Sequence, residues 1–334
     1  MSENKKYNES EWLYATARVR ALEKRIPDRS GIERLLDARD VSEMCAACSD
    51  VGLALESSDT EKGLRRFLAS VYAETCEMAP DPGMLDVMRF PNDAHNIKAA
   101  LKCSIVSRDP AGLLIENGTV DSRKTAQAVL DRKFDLLPGN MGAAAKEALE
   151  AWATTRDPQY IDQLVDAGCA LDKKANADEY GDRFTVGLVE LESDLTNVLI
   201  CIRITRMTGE GADTEYLHRM LLPGGSLGAD FFVTAYNDGE PALWAKLAST
   251  RYSSLAEKLD SAGVYTLSAV ERSVDDMRSE YMTSSRFILA GPPALISYID
   301  SAERFVKNVR IIIAGKQAGE ANETIRERLR GLNV

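Results

Sequence analysis

The sequence predicts an all-α protein, and three observations support this fold class. Aromatic residues make up only 7% of the chain, while alanine, leucine, glutamate and arginine are frequent, a composition that favours helix over sheet. Apolar residues recur at intervals of three and four along most of the chain, which is the period of an amphipathic helix. The sequence shows no convincing run of alternating polar and apolar residues, the pattern of a half-buried strand.

Three asparagines begin similar helical segments. Asn96, Asn197 and Asn308 are spaced by 101 and 111 residues, and in each segment the first, third, fourth and fifth residues after the asparagine are apolar. A repeat of about 105 residues is longer than the common solenoid periods. The sequence therefore predicts three similar helical units, with bounds at 1–115, 116–215 and 216–334.

Capping residues and prolines bound the predicted helices of the first unit. Ser10 can cap a helix with an apolar stripe that ends before a proline. A second helix begins near Gly31, and a third covers residues 61–77. Pro91 can occupy the opening turn of the helix that carries the first asparagine, because proline lacks an N–H that this turn leaves unpaired.

The other two units consist of successive helical patterns separated by glycine and proline breaks. The segment around Asn197 is apolar on nearly all sides, so we expect it to be buried. Asn322 can cap the last helix. The predicted helices are 121–134, 141–153, 160–177, 188–207, 228–236, 241–250, 255–262, 266–281, 292–313 and 322–332.

The charge balance argues against a nucleic-acid partner. The chain has 52 acidic and 41 basic residues, a formal net charge of −11, whereas phosphate contacts require an excess of lysine and arginine. The charge is uneven: the net charge is +3 over residues 306–334 and −4 over residues 172–194. Such asymmetry suits electrostatic docking to protein partners.

The sequence predicts a cytoplasmic or peripheral protein. The N-terminus lacks the apolar core of a signal peptide. The most apolar stretch, residues 287–299, is broken by two prolines and is shorter than the ~20 residues of a transmembrane helix.

Motifs for catalysis or for a cofactor are incomplete. Cys45 and Cys48 have the spacing of a metal or redox site, but no second CxxC and no paired histidine supplies the remaining zinc ligands. The two histidines, His95 and His218, stand apart from other ligand types. We therefore expect no catalytic residue, no metal site and no cofactor.

One enzymatic alternative is an all-α isoprenoid synthase, which holds diphosphate through magnesium bound to an aspartate-rich helix. Asp275 and Asp276 with Glu280 resemble the first motif of that family. Asn92 and Asp93 with Lys98 resemble the second. The two motifs stand in reversed order, and the chain lacks the aromatic residues that shield a carbocation. Acidic faces of soluble helices are usually plain surface, so the sequence disfavours this alternative.

The asparagine segments carry further polar residues. Asp93 and Asp194 lie three residues before Asn96 and Asn197, a spacing that places each pair on one helix face. The carboxylates and amides are expected to form a polar network that links helices, together with the basic residues that follow. These bases are Lys98, Lys102, Arg203 and Arg310.

Several segments of the chain resemble, in the same order, segments of one known family. They are 14–23 (YATARVRALE), 33–38 (ERLLDA), 93–98 (DAHNIK), 194–197 (DLTN), Tyr298, 308–316 (NVRIIIAGK) and 325–330 (IRERLR). Together with the repeat, they resemble the C subunits of archaeal-type and bacterial V-type rotary ATPases, which are equivalent to the d subunit of the vacuolar enzyme. One position departs from the family pattern: Phe305 stands where an acid usually precedes the third asparagine, and Glu303 lies off that face.

The resemblance implies three similar helical subdomains arranged as a cone or funnel about a pseudo-threefold axis. It implies a non-catalytic rotor component on the cytoplasmic side of the membrane. This component receives the D and F subunits of the central stalk at one end and sits on the membrane rotor ring at the other, with the a/I protein of the stator as a further neighbour. It couples ATP hydrolysis or synthesis to proton or sodium transport. The four bases named above are candidate contacts with the stalk.

A second class of function stays open from the sequence. A stand-alone helical scaffold could use three similar units to bind another protein, with no rotary partner. Co-purification with a D/F stalk pair would discriminate between the two interpretations.

Overall fold

The structure, a computed structural model, describes residues 7–50, 53–260 and 265–331. In these residues all regular secondary structure is helical, and no strand is formed. The predicted all-α fold class is therefore confirmed.

Most of the described chain lies in α-helices, and short 3-10 turns precede or follow several of them. In chain order the α-helices are α1 (Leu13–Leu22), α2 (Arg29–Asp37), α3 (Val41–Asp50), α4 (Thr60–Met78), α5 (Asp86–Ile105), α6 (Ser122–Leu130), α7 (Gly139–Thr155), α8 (Gln159–Tyr180), α9 (Arg183–Thr208), α10 (Thr214–Met220), α11 (Ala229–Asp238), α12 (Glu240–Leu247), α13 (Ser253–Asp260), α14 (Leu267–Thr283), α15 (Pro292–Gln317) and α16 (Asn322–Arg328).

The helices group into two compact units. The central unit is Arg89–Arg278, and the terminal unit combines Lys5–Met88 with Ser279–Val334. The predicted bounds of three repeat units stay a prediction. We call α5, α9 and α15 the asparagine helices, because they contain Asn96, Asn197 and Asn308.

Aspartate side chains begin many of these helices. A carboxylate that accepts an N–H of the first turn satisfies a donor that has no partner inside the helix, which is worth about 1 kcal/mol. Residues that cap in this way are Asp28 (α2), Asp59 (α4), Asp121 (α6), Asp182 (α9) and Asp213 (α10). The start of α7 is capped from α8 instead, where Asp172 accepts the N–H groups of Asn140 and Met141, both at 2.9 Å.

In the central unit, α5 packs with α6, α7 and α8 around one apolar core. Its buried members include Ile97, Leu101, Val129, Met141, Ala145, Ile161 and Val165. Helices α7 and α8 approach closely at Gly168, where an added Cβ would lie 2.9 Å from the Asn140 carbonyl oxygen. Small residues at this contact allow the two helices to pack along their lengths.

Helix α9 is buried on most sides, as its sequence predicts. It packs with α8, α10 and α11. Its buried residues include Leu188, Val189, Leu191, Leu195, Val198, Ile202 and Ile204.

In the terminal unit, the long helix α15 is surrounded by helices from both ends of the chain. It packs with α1, α2, α3, α4 and α16. The core around it includes Leu35, Met44, Cys48, Leu64, Val309, Ile312 and Ile325. Segments separated by more than 200 residues in sequence therefore form one hydrophobic core.

Two predicted caps differ from the structure. The first helical segment is capped by Asn8, whose side chain accepts the Ser10 N–H at 3.1 Å, so Ser10 is not the cap. Asn322 is the first residue of α16 and makes no side-chain cap. Helices α3 and α10 are not among the predicted helices.

The prediction that Pro91 lies in the opening turn of its helix is wrong. Helix α5 begins at Asp86, and Pro91 lies inside it. A proline inside a helix removes one N–H and displaces the carbonyl four residues earlier. The start signal lies upstream, where the Asp81 side chain accepts the Gly83 N–H and a 3-10 turn leads into α5.

One ionic cluster connects three helices of the central unit. The Glu192 carboxylate on α9 contacts Lys173 Nζ on α8 and accepts a 2.8 Å hydrogen bond from Arg278 Nε on α14. Burial by itself would raise the pKa of Glu192. The charges and hydrogen bonds of Lys173 and Arg278 outweigh burial and lower the pKa from 4.5 to about 2.

We predict that the charge of Glu192 stabilises the fold in a pH-dependent way. Because the pKa is lowered in the folded state, the stabilisation is complete above pH 4.5 and is lost as the pH falls toward 2. Glu192→Gln should lower the free energy of unfolding by about 3 kcal/mol at pH 7. Urea denaturation at a series of pH values would measure this.

The control is Glu179→Gln, an exposed residue of α8. It should change the free energy of unfolding by less than about 0.5 kcal/mol. A difference between Glu192→Gln and the wild type that stays the same from neutral to acidic pH would contradict the prediction.

Candidate functional site

Each asparagine of the repeat holds the backbone of one later residue through two hydrogen bonds. Asn96 Nδ2 donates to the Ile115 carbonyl at 2.8 Å, and the Ile115 N–H donates to Asn96 Oδ1 at 2.8 Å. Asn197 bonds Leu222 in the same way, at 2.9 and 2.7 Å. We call this arrangement an amide clamp.

The third amide clamp lies in the terminal unit. Asn308 Nδ2 donates to the Arg330 carbonyl and Asn308 Oδ1 accepts the Arg330 N–H, both at 3.0 Å. The three asparagines are at most 4% exposed. The same side chain therefore makes the same two bonds at all three repeat positions.

In the central unit, an aspartate lies one helical turn before each asparagine. Its carboxylate binds the same loop, at residues that follow the clamped one in sequence. Asp93 accepts the Thr119 N–H at 2.8 Å, the Thr119 hydroxyl at 2.6 Å and the Val120 N–H at 3.2 Å. Burial raises the pKa of the Asp93 carboxyl, and the hydrogen bonds from Thr119 and Val120 offset this only in part.

Asp194 repeats this arrangement around the second asparagine helix. It accepts the Ser226 N–H at 2.9 Å, the Ser226 hydroxyl at 2.6 Å and the Leu227 N–H at 3.0 Å. The Tyr252 hydroxyl donates a fourth bond at 2.6 Å. Asp194 and Asp93 are both fully buried, so these bonds replace the water that each carboxylate loses.

The third asparagine helix lacks this carboxylate, as the sequence indicates. Phe305 occupies the corresponding position and is buried in the core of the terminal unit. Glu303 accepts a 2.6 Å hydrogen bond from the Tyr72 hydroxyl instead.

Two glycines make room for the aspartates. A Cβ on Gly118 would lie 2.2 Å from Asp93 Oδ1, and a Cβ on Gly225 would lie 2.1 Å from Asp194 Oδ1. Each glycine directly precedes the Thr or Ser that the aspartate binds. Sequence reasoning missed these loop residues, although a Gly–Thr and a Gly–Ser pair at matching places after the first two asparagines is a signal for them.

The four bases that the sequence singles out pair with acids on a different helix, rather than joining the clamps. Each pair is partly exposed to solvent, so each contributes at most about 1 kcal/mol to stability. The pairs are Lys98–Asp166 and Lys102–Asp162 at 2.6 Å, and Arg203–Glu271 and Arg310–Glu61 at 2.7 Å.

The acids of these pairs occupy matching places in the chain. Helix α8, which pairs with α5, directly precedes α9. Helix α14 pairs with α9 and precedes α15, and α4 pairs with α15 and precedes α5. An ion pair thus joins each asparagine helix to a second helix, the one that precedes the next asparagine helix along the chain. For α15, the last of the three, the next one is taken to be α5.

The cysteines and the histidine that the sequence offers as candidates for catalysis or metal binding have structural roles instead. Cys45 and Cys48 are buried free thiols in the core of the terminal unit, and burial raises both pKa values, that of Cys48 to about 12. Thiols of that kind are weak nucleophiles and ligands. His95 bonds the Leu113 carbonyl at 2.9 Å, beside the first clamp.

Among the described residues, no group of three or more His, Cys, Asp or Glu side chains is positioned to hold a metal ion. Asp93, which the isoprenoid-synthase alternative would use, is engaged by Thr119 and Val120. In the same part of the chain, no helix has both the length and the apolar character to cross a membrane.

Comparison with known proteins identifies the family to which this chain belongs. A model of the ATP synthase (C/AC39) subunit family matches residues 15–328. The chain is 23% identical to the C subunit of the V-type sodium ATPase of Enterococcus hirae, over 81% of this chain and 82% of that protein. It is also 23% identical to the C subunit of the A-type ATP synthase of Thermococcus kodakarensis, over 95% of this chain and 89% of that protein. These matches confirm the resemblance seen in the sequence.

We predict that Gly118 is required for the bonds of Asp93. In Gly118→Ala the new methyl group would displace the carboxylate, which should lower the free energy of unfolding by about 1–3 kcal/mol. Urea denaturation would measure this. In the control Gly112→Ala, the added Cβ meets no atom within 4 Å, so a loss as large as that of Gly118→Ala would contradict the prediction.

We also predict that the Asn197 amide and the Asp194 carboxylate protect different backbone N–H groups of one loop from hydrogen exchange. In Asn197→Ala, the Leu222 amide should exchange at least about tenfold faster, while the Ser226 and Leu227 amides keep their protection. In Asp194→Ala the pattern should be reversed. Hydrogen exchange resolved by residue would measure both variants, and equal deprotection of all three amides in both would show that the loop opens as one piece.

Proposed function

Because the chain belongs to the family of ATP synthase C/AC39 subunits, we propose that it is the central-stalk adapter of a V-type or A-type rotary ATPase. In this role it receives the D and F subunits of the stalk and rests on the membrane rotor ring, on the cytoplasmic face of the membrane and near the a/I protein of the stator. It transmits rotation between ATP hydrolysis or synthesis and proton or sodium transport, and it has no catalytic activity of its own.

The observation that carries this proposal is the family match over residues 15–328, since it involves nearly the whole chain and not one shared module. An adapter that transmits torque must resist deformation. Three amide clamps with buried, hydrogen-bonded side chains hold later segments of the chain to helices at equivalent positions, which supports such stiffness.

We further propose that the chain forms three helical subdomains, each built on one asparagine helix and arranged as a funnel about a pseudo-threefold axis. The repeated clamp supports this arrangement. The ion pairs support it too, because each asparagine helix is joined to the helix that precedes the next one in cyclic order. A stand-alone scaffold would share these features, so binding of a stalk is the discriminating property.

Lys102, Arg203 and Arg310 are proposed contacts with the stalk, together with Lys98. Side chains of the first three remain 43%, 49% and 45% exposed although each is ion-paired, so an approaching acid could share them. Lys98 is less accessible, since its side chain is 24% exposed.

We predict that removing these bases weakens stalk binding more than removing their acidic partners. Arg203→Gln and Lys102→Gln together should raise the Kd for a purified D/F pair about tenfold and reduce its salt dependence. The matched variant, Glu271→Gln with Asp162→Asn, breaks the same two ion pairs but keeps the bases, so its Kd should not rise. Titration at several salt concentrations would measure both.

Each outcome has a separate meaning. Equal weakening by both double variants would show that the ion pairs act only within the fold, and the assignment of these bases to the interface would be wrong. A wild-type chain that fails to bind the D/F pair would overturn the adapter function itself.

A further inference from the structure

A cleft with a volume of about 1190 Å³ opens in the terminal unit. Residues of the segment 20–34, of α4, of the segment 283–286 and of α15 line it, together with Arg330 and Gly331. Apolar side chains line part of the cleft, including Ile32, Phe67, Val71 and Phe305. The third amide clamp also reaches the cleft, since Asn308 and Arg330 are among its lining residues.

The cleft is strongly basic, although the whole chain has a net charge of −11. Three acids line it, namely Glu23, Asp28 and Glu74. Eight bases line it, namely Arg20, Lys24, Arg25, Arg29, Arg34, Arg286, Arg304 and Arg330. Such a concave basic surface attracts a negatively charged partner.

Several of these bases have no acid to neutralise them. Arg20 pairs with Glu23, and Arg304 pairs with Asp300 at 2.9 Å. In the described ranges, by contrast, five exposed bases of the cleft form no ion pair. They are Lys24, Arg25, Arg29, Arg34 and Arg286.

An exposed apolar ridge adjoins the cleft. Phe287 and Leu289 follow Arg286 and are 87% and 89% exposed. Ile288 between them has an extended backbone and is half-buried.

The ridge is held in place by α1. At one end Arg20 Nη2 donates to the Ser285 carbonyl at 2.9 Å, and at the other the Gly291 N–H donates to Thr16 Oγ1 at 3.3 Å. Large apolar groups that are fixed in an exposed position are typical of a protein-binding site.

We infer that this cleft is the docking site for an acidic, amphipathic segment of a protein partner, and this rests on the proposed function, in which that partner is the central stalk. A segment with carboxylates and leucines can pair with the free bases and cover Phe287 and Leu289 together. A flat membrane surface does not reach the floor of a concave cleft. The volume exceeds the ~1,000 Å³ upper range of small-molecule pockets, and the ridge lies outside the lining that a small anion would contact.

The test compares two charge-reversed double variants of the full chain. Arg25→Glu with Arg29→Glu changes the cleft, and Arg66→Glu with Lys307→Glu changes exposed bases of the same unit outside it. Thermal melts check that both fold. The probes are the purified D/F pair and a synthetic helical peptide that alternates glutamate and leucine at helical spacing, with a lysine-for-glutamate peptide as its control.

We expect the cleft variant to bind both acidic probes at least about tenfold more weakly than the wild type and to lose most of the salt dependence, while the control variant binds normally. If the wild type binds the D/F pair and the cleft variant binds it equally well, the cleft inference is overturned and the adapter function stands. If the wild type binds the peptide through the cleft but does not bind the D/F pair, the adapter function fails and the acidic-segment site stands.

Two further outcomes would overturn the inference. Inorganic triphosphate could bind the wild type and not the cleft variant while the peptide binds neither, which would identify a small-anion site. Vesicles containing anionic lipid could bind in a cleft-dependent way while neither protein probe does, which would identify a membrane surface.

Discussion

An asparagine side chain that pairs with both the N–H and the C=O of one distant residue is the interaction on which this structure depends. A buried primary amide is costly unless its donor and its acceptor are both satisfied. Here both are satisfied at three equivalent places by bonds of 2.7 to 3.0 Å. Aspartate would present two acceptors and no donor, and leucine would present neither. Only an amide of this length can therefore bind both the N–H and the C=O of the partner residue. The clamp therefore fixes where the chain returns to its helix.

The clamps in the central unit impose further requirements on the sequence. Once Asn96 holds Ile115, the following loop passes close to Asp93, and the carboxylate can bind it only if position 118 carries no Cβ. A threonine or serine then supplies the hydroxyl that completes the carboxylate's bonds. In the terminal unit the aspartate is replaced by Phe305, which is buried in the core and is among the residues that line the cleft.

Helical periodicity predicted most of the helices, and the repeat singled out the three asparagines. Both signals can be read from short segments of the sequence. The partners of the asparagines were not predictable, since they lie 19, 25 and 22 residues later and a short helix intervenes before the second and third of them. The prediction for Pro91 was wrong because helix propensity favours proline only in the first turn of a helix. Here a packed helix tolerates the proline in its interior. Lys98, Lys102, Arg203 and Arg310 lie on the expected helices, but their acids come from helices 60 to 249 residues away, which no local pattern encodes.

The distribution of charge decides what the terminal unit can attract. A net charge of −11 spread over the chain would repel an acidic partner if all charges acted equally. At physiological salt, however, exposed charges are screened beyond about 8 Å, so an approaching segment responds mainly to the side chains within reach. Inside the cleft those are arginines and a lysine in excess over acids. An acidic segment near the cleft therefore meets mainly positive charge, although the chain as a whole is acidic.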